Sequence, residues 1–172
     1  MLKVFVVLAF AALASVPAAA SERTDAMAPV HQFVDGMNKG DMKSALAACS
    51  DEVSIIDNVP PHEWHGAGAC AKWADALDAD SKKNGVTDVV FTLGKPRHVN
   101  IEGDRAYAVI PAHYTYNMKG KKAHQAGMLT VALQKGTAGW RMTGWRSEIS
   151  RHHQAEIALA VDQKYFTTWR LK

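Results

Sequence analysis

From Asp104 to Met118 the chain alternates. Ala108, Ile110, Ala112, Tyr114 and Tyr116 fall on one face; Tyr107, Val109, His113 and Thr115 fall on the other. A period of two over so long a stretch predicts a long strand with two distinct faces. Such a strand cannot stand alone, so the rest of the chain must supply a sheet and a cover for its apolar face. Gly103-Asp104 and Lys119-Gly120 mark turns at its two ends. Val86 to Ile101, rich in Val, Phe and Thr, precedes it. Gln125 to Lys135 and Trp140 to Ile149 follow, joined by Thr137-Ala138-Gly139. Short turns between successive strands predict an antiparallel meander.

The cover comes from the first half of the chain. Val30, Phe33, Val34 and Met37 recur at helical spacing, Gly40 stops that helix, and Asp41 is placed to cap the next. Met42, Ala45, Leu46 and Cys49 repeat the pattern, which places Cys49 on a helix face. Val53 to Asn58 reads as a short strand. Pro60 and Pro61 must then leave the sheet, because proline cannot donate to a ladder. Cys70, Trp73, Ala74 and Leu77 mark a third helix that ends before Asn84-Gly85. Helices early and long strands late define an α+β chain, with helices packed on one face of a curved sheet.

Residues 1–20 have a different character. Lys3 precedes an apolar run from Val4 to Leu13, and Pro17-Ala18-Ala19-Ala20 supplies small residues at a cleavage point. That is the layout of a secretory signal peptide, and the run is too short to span a membrane. Cleavage after Ala20, with Ala18 as the alternative, leaves a single domain over residues 21–150 and a tail over 151–172. The expected location is periplasmic or secreted, with no stable membrane anchor. In the tail Ile157, Val161, Tyr165 and Trp169 stand at steps of four, which fits a helix. His152 and His153 begin it; adjacent side chains diverge on a helix, so they read as solvated.

Composition excludes some partners. Loss of Lys3 takes Lys+Arg from 20 to 19, against 17 Asp+Glu. The basic residues are scattered apart from Lys119, Lys121 and Lys122 at one turn, which is neither a nucleic-acid footprint nor a polybasic lipid surface. The two cysteines, Cys49 and Cys70, have two readings. Export permits a disulfide between them, and both also suit buried positions as small apolar side chains.

The segments "NKGDMKSALAACSDEVSIIDN", "HEWHG", "DRAYAVIPAHYTYNMKGKK" and "GWRMTGW" carry a resemblance. In order and spacing they resemble the nuclear transport factor 2-like superfamily, in its ketosteroid isomerase-like and SnoaL-like branch, over roughly Ala28 to Ser147. The resemblance implies a cone: a bent sheet wrapped by helices around an apolar pocket, in a chain that forms a homodimer through the outer sheet face. It places Asp57 where the isomerase-like members carry their proton-shuttling acid. It places Phe33 where they carry a tyrosine, and Met128 or Leu129 where they carry a second acid. Neither replacement donates a strong hydrogen bond to a developing oxyanion, so the usual steroid isomerisation is not expected. The Asp-Arg-Asp cluster of limonene epoxide hydrolases has no counterpart.

Asp57 ends a strand. In an apolar pocket it would lose water and gain basicity; beside Asn58 and Pro60 it also suits a turn-capping acid. His62, Trp64 and His65 crowd the same turn. A metal held by Asp57, His62 and His65 is not expected, because the prolines before the pair and Gly66 after it leave no assured convergence. The stretch reads as a pocket rim, with Asp57 inside. Phe33, His62, Trp64, Tyr114, Tyr116, Leu129 and Trp145 are the expected pocket residues, with no cofactor. The function expected is an exported pocket protein that binds a small, largely apolar ligand. The alternative is an isomerase, cyclase or lyase that uses Asp57 as general base.

Overall fold

The structure is a computed structural model that describes residues 15–149. Most of the expected leader lies outside the described residues, and so does the tail with its expected helix and His152-His153. Helix α1 spans Ser15–Lys39, so the end of the expected leader runs directly into it. Val30, Phe33 and Val34 of the periodic stripe are buried, Met37 packs partly against the core, and Ala26 and Met27 extend the buried face toward the N-terminus. Helix α2, Met42–Ala47, is capped by Asp41, whose carboxylate accepts from the Ser44 N–H at 3.0 Å. The two helices touch closely at a glycine: a Cβ on Gly36 would lie 2.7 Å from the Ala45 nitrogen.

Cys49 is not on that helix. The Ala48 N–H turns back onto the Ala45 carbonyl, and Cys49 begins strand β1, Cys49–Ile56. Burial rather than helical spacing explains its apolar neighbours: Cys49, Val53 and Ile55 all turn inward from the strand. The "HEWHG" segment is also more than a turn. Strand β2, Glu63–Ala67, pairs antiparallel with β1, and Trp64 lies opposite Ile55. Helix α3, Ala69–Asn84, ends at Gly85, whose φ of +66° favours a residue without a Cβ. A disulfide joins Cys49 to Cys70, tying the start of β1 to the first turn of α3.

The remaining strands are β3 Val86–Leu93, β4 His98–Glu102, β5 Arg105–Met118, β6 Lys121–Gly136 and β7 Gly139–Ile149. The sheet order is β2-β1-β7-β6-β5-β3, with β4 beside β3 on the free side of β5. Strands β5 to β7 form the expected meander. The sheet as a whole is mixed, however, because β1 runs parallel to β7. No tight turn links those two strands; a helix and five strands separate them in sequence, so the connection is free to cross over. Ile55, Ala108, Ile110, Val131, Leu133, Met142 and Trp145 cover the inner face and bury against the helices. Each large one contributes about 2 kcal/mol. On the outer edge, the Asn38 side chain pairs with the backbone of Phe91 in both directions at 2.8 Å, as a neighbouring strand would. That tie fixes the end of α1 over β3 and closes one side of the cone.

Candidate active or ligand site: a carboxyl in an aromatic cavity

Between α1, α3 and the concave face lies a cavity of about 240 Å³. Alternation along β5 sends Ala112, Tyr114 and Tyr116 into it; α1 supplies Phe33 and Val34. β6 adds Gln125 and Leu129, and β7 adds Trp145 and Ser147. The rings pack on one another. Phe33 stands 5.2 Å from Trp145 and 5.7 Å from Trp73, and Trp73 meets Trp145 edge-on at 5.3 Å. Phe91 meets Tyr114 edge-on at 4.9 Å. Such contacts favour fixed ring positions, so the wall is rigid rather than collapsible.

Asp57 follows the last residue of β1 and turns inward, as Ile55 does and Ile56 does not. Its backbone closes a loop with His62: the Asp57 N–H donates to the His62 carbonyl at 3.0 Å. One carboxylate oxygen accepts the Val59 N–H at 3.0 Å. The turn-capping reading and the pocket reading are thus both true of one residue, because Asp57 also lines the cavity and is only 9% exposed. Burial pushes its carboxyl above the ordinary value; the N–H groups of Val59 and Asn58, the Trp73 indole and nearby His62 offset part of that rise. The indole N–H of Trp73 comes close enough to favour the charged carboxylate, yet it makes no hydrogen bond of normal geometry. Tyr114 is coupled to the same group. Its hydroxyl lies 3.3 Å from the Ser147 hydroxyl, and burial raises its pKa, with the Asp57 charge adding to the rise.

Phe33, Tyr114, Tyr116, Leu129 and Trp145 therefore stand together around Asp57. His62 and Trp64 do not join them. Trp64 is buried in the core on β2, because strand alternation there turns it toward Ile55. His62 is exposed, with Nδ1 3.3 Å from its neighbour Asp57's carbonyl oxygen. His65 points to Ser54 and Glu63 rather than to Asp57. Among the described residues no three His, Cys, Asp or Glu side chains converge as metal ligands would.

Several lining residues escape the sequence reading. Trp73, Leu77, Asp80, Ser81 and Asn84 all face the cavity from α3. The signal for them is the helical spacing itself: the stripe that starts at Cys70, Trp73 and Leu77 continues at the same steps into Asp80, Ser81 and Asn84. An apolar face that turns polar within one helix marks where a cavity opens to water. Ser147 follows likewise from Trp145 by alternation on β7.

An α+β cone built around a cavity is the architecture of a nuclear transport factor 2-like protein. The chain belongs to the SnoaL-like domain family, which matches residues 27–147. Solved structures share the fold at low identity. A ketosteroid isomerase-like protein from Erwinia carotovora atroseptica is 16% identical, with a TM-score of 0.59 over 74% of this chain and 95% of that one. A nuclear transport factor 2-like protein from Salmonella enterica is 15% identical, with 0.63 over 76% and 92%. A hexachlorocyclohexane dehydrochlorinase from Novosphingobium barchaimii is 10% identical, with 0.66 over 79% and 91%. No curated protein sequence matches the chain.

Proposed function

We propose that this chain is an exported pocket protein that takes one small, largely apolar ligand in the cone. The observation that carries the reading is the cavity of about 240 Å³, walled mainly by aromatic and aliphatic side chains with one buried carboxyl. Sites for drug-sized ligands run from about 300 to 1,000 Å³, so the ligand here is small. Export is supported by the leader layout of residues 1–20 and by the Cys49–Cys70 disulfide, which suits an oxidising compartment. Ala20 to Asp25 are exposed and the buried core begins at Ala26, so a mature start at Ser21 removes no described core side chain. No helix among the described residues is long and apolar enough to cross a membrane.

A second reading has its own support. Asp57 is buried with its basicity raised, and Tyr114 and Trp73 line the same cavity. Tyr114 carries a hydroxyl where Phe33 offers no donor, so an isomerase, cyclase or lyase with Asp57 as general base fits the site. The fold carries enzymes and binding modules alike, so it does not choose between them.

Native mass spectrometry of the protein recovered from its exporting host tests both. The expected species starts at Ser21 and retains one small molecule. A mass that keeps Met1 to Ala20 would refute export, and a protein always empty would count against the pocket reading. Turnover of the retained molecule by wild type but not by Asp57→Asn would establish the catalytic alternative.

A further inference from the structure

The cavity wall carries charge of one sign. Among the described residues that line it, Asp57 and the half-buried Asp80 are the only carboxyl groups, and there is no Lys, Arg or His. The whole chain is net positive, at +3, so the sign is a property of this wall and not of the composition. Aromatic side chains line much of the rest, and the face of an aromatic ring is electronegative. An anionic ligand would meet two acids and several negative ring faces in a poorly solvated space, with no counter-charge.

A second observation points the same way. Trp73 is 4% exposed, lines the cavity, and its indole N–H makes no hydrogen bond of normal geometry. A buried donor without an acceptor costs stability, and the group beside it that could accept is the Asp57 carboxylate. Burial works against the charged form of that carboxylate. A positive charge placed beside Asp57 would hold it ionised and strengthen its contact with the indole.

Resting on the pocket reading above, we propose that the ligand is a cationic amine, with its ammonium beside Asp57 among the rings of Phe33, Trp73 and Trp145. Its apolar remainder runs between Leu129 and Tyr114 toward the polar end of α3. Cation–π attraction and the carboxylate act together there, and both strengthen as water is excluded.

The probes are benzyltrimethylammonium, its uncharged carbon isostere neopentylbenzene, and phenylacetate as the anion. Binding to the exported chain is followed by tryptophan fluorescence, because Trp73 and Trp145 line the cavity. The cation is expected to bind at least about tenfold more tightly than the isostere, and phenylacetate not to saturate. Asp57→Asn should bring the cation down to the isostere's level. Trp73→Phe, which keeps a ring and removes the N–H, should shrink the preference. An isostere that binds as tightly as the cation, or a preference that survives Asp57→Asn, overturns the amine and leaves the pocket reading intact. No saturable binding of either probe overturns both.

Discussion

Asp57 carries a conflict. Its Oδ1 is tied to the Val59 N–H, but burial opposes its charge more strongly than the nearby donors support it. A folded-state pKa above the unfolded one means that folding favours the protonated form. The associated stability is fully present below the unfolded value and is lost as pH rises through the raised, folded one. Asp57→Asn keeps an oxygen for Val59 and removes the charge. The variant should therefore be more stable than wild type at pH 7, on the order of 1 kcal/mol. The gain should shrink toward zero as the pH falls below the ordinary carboxylate value. Thermal melts at several pH values check this; a variant less stable than wild type at neutral pH would mean that the carboxylate caps its turn and pays no burial cost. The residues around Asp57 differ in how far the sequence discloses them. Tyr114, Tyr116 and Ala112 follow from strict alternation. Trp73 looks like any core tryptophan on a helix stripe, because nothing local places its indole beside Asp57.

At the scale of elements, the α3 wall of the cavity is held by a covalent tie at one end. The Cys49–Cys70 disulfide closes a loop with a sequence separation of 21 and anchors the first turn of α3 to β1. Closing a loop of that size contributes about 3 kcal/mol, chiefly by limiting the unfolded chain. A Cys49→Ala/Cys70→Ala double variant should lose about that much, or about 10 °C in Tm, with its far-ultraviolet spectrum unchanged. An unchanged Tm would show that core packing alone positions α3. At the other end of the cone, Asn38→Ala removes both hydrogen bonds to Phe91 and leaves that backbone to water. It should cost about 1–2 kcal/mol in denaturant titration; a neutral result would show that β3 holds its place without α1. These two ties also mark the limit of what sequence discloses. Helix stripes, the Asp41 cap and the meander are written in neighbouring residues, so they are legible. The disulfide partner, the Asn38–Phe91 tie across 53 positions, and the parallel β1–β7 pair are contacts between distant segments. The β2 strand is missed for another reason: "EWHGA" is too short to establish a period of its own.

At the scale of the whole molecule, the described residues cover one face of the sheet and leave the other open. Ile56, Val90 and Tyr107 are large apolar residues left 52%, 47% and 45% exposed. Alternation and register put all three on the convex side, across β1, β3 and β5, with Val109, Pro111 and Met128 partly buried between them. Five strands spaced about 4.8 Å apart, each contributing roughly ten residues at about 3.3 Å, present about 800 Å². That is about what each partner contributes to a stable interface. The face is also its own complement: Arg146 and Glu148 lie on it as an ion pair at 3.2 Å, and a two-fold axis would bring each near its counterpart's opposite charge. We therefore predict a homodimer through this face. Light scattering at high micromolar concentration should give twice the chain mass. Tyr107→Lys should shift it toward monomer while leaving the fold intact, because the side chain points away from the core and a buried unpaired ammonium is costly only in the dimer. A wild-type monomer at that concentration would sink the prediction. A Tyr107→Lys variant that remains fully dimeric would move the interface elsewhere, most directly to the exposed edge of β2.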